Sequence, residues 1–129
     1  MTREQSLFDF WNGFDIPAFE ENSVPTGDDA PAFPYITYQL VTDALGNEVP
    51  ISASVWDRNK NEYSALANVQ NKVEEIREKI SRGGIMLPFD GGAIWLKRGR
   101  PFDQTMGDGD DDQVVRAYLN MTAEFISAD

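Results

Sequence analysis

The chain has 129 residues, 41% of them apolar and 12% aromatic, which is enough for the core of one domain. It carries 22 acidic against 11 basic residues, a formal net charge of −11, and neither histidine nor cysteine. These totals exclude disulfides, thiolate metal sites and histidine-based catalysis, and they oppose sequence-independent adhesion to nucleic acid or anionic membranes.

The start, Met-Thr-Arg-Glu-Gln, lacks the apolar run of a secretory signal. No stretch approaches the ~18 apolar residues of a membrane span, so folding in the cytoplasm is expected. Thr2 can cap a short helix, with Gln5 completing a capping box. Leu7, Phe10, Trp11 and Phe14 follow at helical spacing, and Gly13 marks the end. So greasy a stripe on so short a helix needs a sheet beneath it; the alternative is a surface helix docking another subunit. Residues 16–19 read as a brief strand. Residues 20–34, with three prolines, Gly27 and Asp28-Asp29, form a loop longer than most compact domains carry. That loop is either a connector or an arm that orders against a neighbouring subunit.

Residues 35–42 and 49–56 read as an antiparallel hairpin about a turn at 43–47. Ile36, Tyr38 and Leu40 share one face of the first strand, and Val49, Ile51, Ala53 and Val55 one face of the second. Pro50 cannot donate to a ladder and marks an edge or a strand's beginning. A helix over 62–82 is the clearest element, with Asn59 and Glu62 at its start and Gly83-Gly84 at its stop. Its narrow seam is Leu66, Val69, Val73, Ile76 and Ile80, and Glu75 and Lys79 stand at a favourable i, i+4 spacing. A second hairpin, 85–89 with 93–98, turns at Asp90-Gly91-Gly92. Residues 99–113 read as a second long loop.

Residues 114–126 then alternate without a break, with Val115, Ala117, Leu119, Met121, Ala123 and Phe125 on one side. Arg116, Tyr118, Asn120, Thr122 and Glu124 fall on the other. This is a strand with one dry face and one wetter face that a partner can use. The fold class expected for 1–129 is a single α+β domain. Its mixed, largely antiparallel β-sheet packs against one long and one short α-helix.

Asp108, Asp110 and Asp112 repeat the spacing that opens a calcium loop. Gln113 at the sixth position and Leu119 at the twelfth break that pattern. The run 108–112 reads instead as a solvated, self-repelling loop or as an acidic patch for a basic partner. Lys97, Arg98 and Arg100 cluster against the prevailing charge. A basic rim and an acidic loop on one protomer are the ingredients of a head-to-tail contact that closes into a ring. The candidate interface is therefore Lys97, Arg98, Arg100, Asp108, Asp110, Asp111 and Asp112. There is no phosphate-cradling G-x-x-x-x-G-K-S/T, no G-x-S-x-G and no histidine for a triad. Trp11 and Trp56 read as packing residues rather than a sugar groove. No catalytic residue, cofactor or metal is expected.

One ordered series of short stretches runs along nearly the whole chain. It begins with Phe8-Asp9-Phe10-Trp11, Ile16-Pro17-Ala18-Phe19, Asn22-Ser23-Val24-Pro25 and Phe33-Pro34-Tyr35-Ile36-Thr37-Tyr38. Ser52-Ala53-Ser54-Val55-Trp56, Ile80-Ser81-Arg82-Gly83-Gly84, Asp90-Gly91-Gly92-Ala93-Ile94-Trp95 and Pro101-Phe102 follow. Val115-Arg116-Ala117-Tyr118-Leu119-Asn120 and Ala123-Glu124-Phe125 complete it. That order resembles the tail-terminator and tail-completion minor tail proteins of tailed phages and prophages. The resemblance implies a ring, hexameric in that family, which caps the tail tube and meets the head–tail connector. It offers no catalytic residues to carry over. The expected partners are other copies of the chain, the tail-tube protein and the connector proteins. DNA only passes through the channel, since a negative wall repels phosphate. The expected location is the tail or neck of the virion, and the host cytoplasm during assembly. The alternatives are a head-completion or minor capsid protein of the neck, and an acidic inhibitor that mimics DNA.

Overall fold

In the computed structural model, which describes residues 1–40, 48–107, 109 and 111–127, the alternating stretch near the end of the chain is β6 (Val114–Ser127). Its six expected core residues are all buried, none more than 6% exposed. The remaining strands are β1 (Ala18–Glu20), β2 (Tyr35–Tyr38), β3 (Glu48–Arg58), β4 (Ile85–Phe89) and β5 (Gly92–Gly107). The helices are α1 (Arg3–Trp11) and α2 (Glu62–Ile80). The six-stranded sheet has the order β1-β2-β3-β6-β5-β4. Only β1 and β2 are parallel neighbours; every other pairing is antiparallel. This is the α+β class expected, with one long and one short helix. The end strand does not lie beside the two hairpins but between them.

Both expected hairpins form, β2 with β3 and β4 with β5, the second turning directly from Phe89 to Gly92. The expected turn at 43–47, with residues 41 and 42, lies outside the described residues. β3 pairs with β6 from Glu48 to Arg58, so it is an interior strand and not an edge. Pro50 is tolerated because β2 reaches only to Tyr38, opposite Ala53, with Gln39 adding a backbone bond to Ser52. Pro50 shares the orientation of Ser52 by the two-residue period, so its missing donor faces the side that β2 does not reach.

The largest departure from expectation concerns residues 99–113. β5 runs on to Gly107, because β6 is fourteen residues long and its backbone groups need partners along the whole length. The register shifts between Arg98, opposite Met121, and Asp103, opposite Leu119, leaving Asn120 to face the bulged residues between them. Asn120 donates its side-chain amide to the Pro101 carbonyl at 3.1 Å. Gly99 is required there, since a Cβ would stand 2.8 Å from the Asn120 carbonyl oxygen.

α2 starts at Glu62 as expected, but its cap is Asn61 rather than Asn59. Asn61 caps it, accepting from the Tyr63 amide at 3.0 Å, while Asn59 accepts from the Asn61 amide at 2.9 Å. It stops at Ile80 rather than 82. The seam facing the sheet is Ala65, Val69, Val73, Ile76 and Ile80, all buried, whereas Leu66 is 37% exposed. The small side chain of Ala65 lets this end of the helix lie close to the strands. There Asn68 donates to buried Asp57 at 2.9 Å.

α1 carries the expected capping box: Thr2 accepts from the Gln5 amide at 3.2 Å and Gln5 from the Thr2 amide at 2.8 Å. It touches both outermost strands of the curled sheet. Asn12 accepts from the Ala18 amide at 3.1 Å, and the Met1 carbonyl accepts from the Asp90 amide at 2.7 Å. Leu7, Phe10 and Trp11 enter the core as expected, joined by Phe14, which lies beyond the helix end. Both helices therefore occupy one side of the sheet, and among the described residues no helix covers the other side. Among the described residues no helix is long and apolar enough to cross a membrane.

Trp11 is fully buried, edge-on to Phe10 at 4.9 Å and stacked with Tyr38 at 6.2 Å, and its indole N–H has no partner among the described residues. Trp11→Ala should cost about 3–5 kcal/mol of stability by opening a cavity. Trp11→Phe should cost much less, since it also removes the unsatisfied donor. Urea denaturation of both variants checks this, a shifted midpoint at constant slope being the expected signature.

Candidate functional site

The structure divides the expected basic cluster between the two sides of the sheet. Lys97 lies on the uncovered side, opposite Thr122, with its ammonium 4.3 Å from the Trp95 ring centre and ion-paired with Glu48. Arg98 is opposite the core residue Met121 and so faces the helix side. There Arg98 and Arg100 are joined by Arg82, just past the end of α2, around a cavity of about 210 Å³ floored by Phe102. None of these three arginines has an ion-pair partner among the described residues. Arg82 was missed as a site residue because the sequence places it as the last residue of a helix. Its signal was that same position, since a helix C-terminus is the end that attracts cations.

The described acids of 108–112 lie elsewhere. Asp108 and Asp110 fall outside the described residues. Asp111 accepts from Arg58 Nε at 2.8 Å and from the Gln113 amide at 3.0 Å, and Asp112 is exposed. Arg58 faces Val114 and Arg98 faces Met121. Seven residues of β6 therefore separate the two sites, on the order of 23 Å along the strand. Asp111, the described acid of that loop that forms an ion pair, is therefore spent on Arg58 and does not reach the arginine cavity. Among the described residues no three metal-ligating side chains converge.

The uncovered face carries a continuous aromatic and cationic row. Tyr35 stacks with Trp56 at 6.4 Å, and Trp56 donates its indole N–H to Thr37 at 2.9 Å. Next in the row, the Arg116 guanidinium lies 4.7 Å from the Trp56 ring centre and 5.1 Å from that of Tyr118, and its Nε donates to Ser54 at 2.9 Å. Phe33 and Phe19 extend the row beyond Tyr35, at 5.1 Å and 6.1 Å. Register explains the alignment, since Tyr35, Trp56 and Arg116 are successive cross-strand partners. Burial pushes the Tyr35 phenol above its ordinary pKa, so it stays neutral. Beyond Tyr118 the row opens into a concavity of about 300 Å³ lined in part by Gln39, Pro50, Ser52 and Asn120. Sequence reading assigned Trp56 to packing. It packs, but on the uncovered face and only half-buried.

No protein-family model matches the chain, and no curated protein matches it. The arrangement itself is suited to recognition. It has a basic cavity with no ion pair among the described residues, a distant Asp111 and an aromatic sheet face.

The Arg58 guanidinium, with the Gln113 amide second, holds the Asp111 carboxyl below the ordinary aspartate range. A lowered folded-state pKa means this pairing stabilises the protein above the ordinary aspartate pKa. The stabilisation is lost as pH falls through the folded value. Carboxyl titration by NMR should therefore give Asp111 a midpoint below the ordinary aspartate value, and Arg58→Gln should raise it.

Proposed function

We propose that this chain is an assembly subunit of a tailed-phage virion. It acts as a tail terminator whose copies form a ring, hexameric by family resemblance, that caps the tail tube and meets the head–tail connector. The observation that carries this reading is the trio Arg82, Arg98 and Arg100, without an ion-pair partner among the described residues, in a chain of net charge −11. Such a basic cavity, far from Asp111 of its own protomer, fits the acidic loop of the next. Repetition of that heterologous contact closes a ring. In this reading Asp108, Asp110, Asp111 and Asp112 face Arg98 and Arg100. Lys97 sits nearby with its charge already matched by Glu48. The negative charge of the protomer lets DNA slide through the channel without adhering. The subunit works by fitting its neighbours and not by turning over a substrate. It belongs to the tail or neck of the virion, after assembly in the host cytoplasm. A head-completion protein of the neck is the second reading, supported by the same charges; gene position beside the tail-tube gene distinguishes the two.

Reversal of two charges tests the contact. Arg98→Glu with Arg100→Glu should weaken self-association at least about tenfold, roughly 1.4 kcal/mol, in sedimentation or mass measurements. The monomer fold should persist, because neither side chain has an ion-pair partner to lose among the described residues. Mixing that variant with Asp112→Arg subunits should restore part of the association. Unchanged oligomer size after the double reversal sinks the proposed contact.

A further inference from the structure

We infer that the uncovered sheet face is the seat for residues 25–31 of a second copy of this chain, an inference that rests on the assembly reading above. The seat is the row Tyr35, Trp56, Arg116 and Tyr118 with the concavity beyond it. Arg116 is held in place by two rings and the Ser54 hydroxyl, yet has no carboxylate partner among the described residues. A guanidinium has five N–H donors in a planar fork, and a pre-positioned one binds a carboxylate with little further loss of side-chain freedom.

The chain contains a matching ligand. Residues 21–34 contribute no buried side chain, and their 3-10 turn, Gly27–Asp29, carries Asp28 and Asp29. Pro25 and Pro31 bracket that turn. Proline-bearing segments are stiff and lie well on grooves lined by Trp and Tyr, so ordering them costs little entropy. Among the described residues neither Asp28 nor Asp29 forms an ion pair. Two unspent acids on an exposed, proline-bracketed turn thus complement one unspent arginine in an aromatic row. The loop is the arm and the face is its receptor. This contact differs from the arginine cavity, which lies on the helix side of the sheet.

Because the chain has no cysteine, engineered thiols report the contact without background. Full-length Asp29→Cys and Gln104→Cys are made separately; Gln104 is exposed and faces Tyr118 across β5 and β6. The mixture, once its mass shows oligomers, should give a cross-linked pair of chains under mild oxidation, in at least fivefold excess over either variant alone. Adding Arg116→Gln to the Gln104→Cys chain should cut that yield at least fivefold. Asp28→Asn on the Asp29→Cys chain should also lower it, which keeps the test decisive should the Arg116 variant fold poorly. Oligomers that form without this cross-link overturn the inference and leave the assembly reading standing. A cross-link indifferent to both charge removals overturns it as well. So does ready closure within a single chain carrying both cysteines, which would place the arm on its own sheet. A protein that stays monomeric defeats the assembly reading, and the arm contact with it.

Discussion

A single strand bonded along both of its edges organises this molecule. β6 pairs with β3 from Val114 to Glu124 and with β5 from Val115 to Ser127. Its alternate side chains form one uninterrupted dry stripe. A strand in that position cannot slip by one residue without turning Leu119, Met121 and Phe125 out into water. Burying each of those side chains is worth roughly 1.5–3 kcal/mol, so the register is held firmly. The neighbours then adjust to β6. β5 absorbs extra residues in its bulge at Asn120, and β3 keeps Pro50 where its missing donor harms no pairing.

One-sided burial follows from that stripe. α2 lays Ala65, Val69, Val73, Ile76 and Ile80 on the dry side, and α1 closes the same side by touching β1 and β4. Covering both outermost strands with one helix also limits their availability for unwanted pairing, as do the three-residue length of β1 and Pro88 in β4. Among the described residues the opposite side receives no helix. What it holds instead is an ordered row of rings and a guanidinium, too apolar to be mere solvated surface and too polar to be core.

Charge is distributed with similar separation. The six ion pairs among the described residues are mostly exposed and add little stability individually. Their value lies in what they leave over. Arg58 takes up Asp111 and Glu48 takes up Lys97, while Arg82, Arg98, Arg100 and Arg116 have no ion-pair partner among the described residues. In a chain with twice as many acids as bases, these four arginines on two faces are the groups that the proposed assembly would meet with carboxylates of neighbouring copies. That supports a protein whose chemistry is contact with its neighbours.

Periodicity was the strongest signal in the chain, and it was local. The alternation of 114–126, the helical steps from Val69 to Ile80, the Thr2–Gln5 box and the Asp90-Gly91-Gly92 turn could all be read directly. Each reflects bonding and burial within a few residues of itself. The extension of β5 through 99–107 could not be read, because Gly99, Arg100 and Pro101 look like a loop and only the demands of β6 make them part of a strand. Leu66 was preferred over Ala65 for a related reason: hydrophobicity favours leucine, while the closeness of the helix to the sheet favours alanine. The joining of Arg82 to Arg98 and Arg100, and the parting of Lys97 from them, was likewise decided in three dimensions. Residues adjacent in a strand point to opposite faces, and a bulge resets which face comes next. Composition and local pattern thus determined the elements, the dry faces and the surplus of acid. Tertiary pairing alone decided which charges were left without a partner, since that depends on distances between segments far apart along the chain.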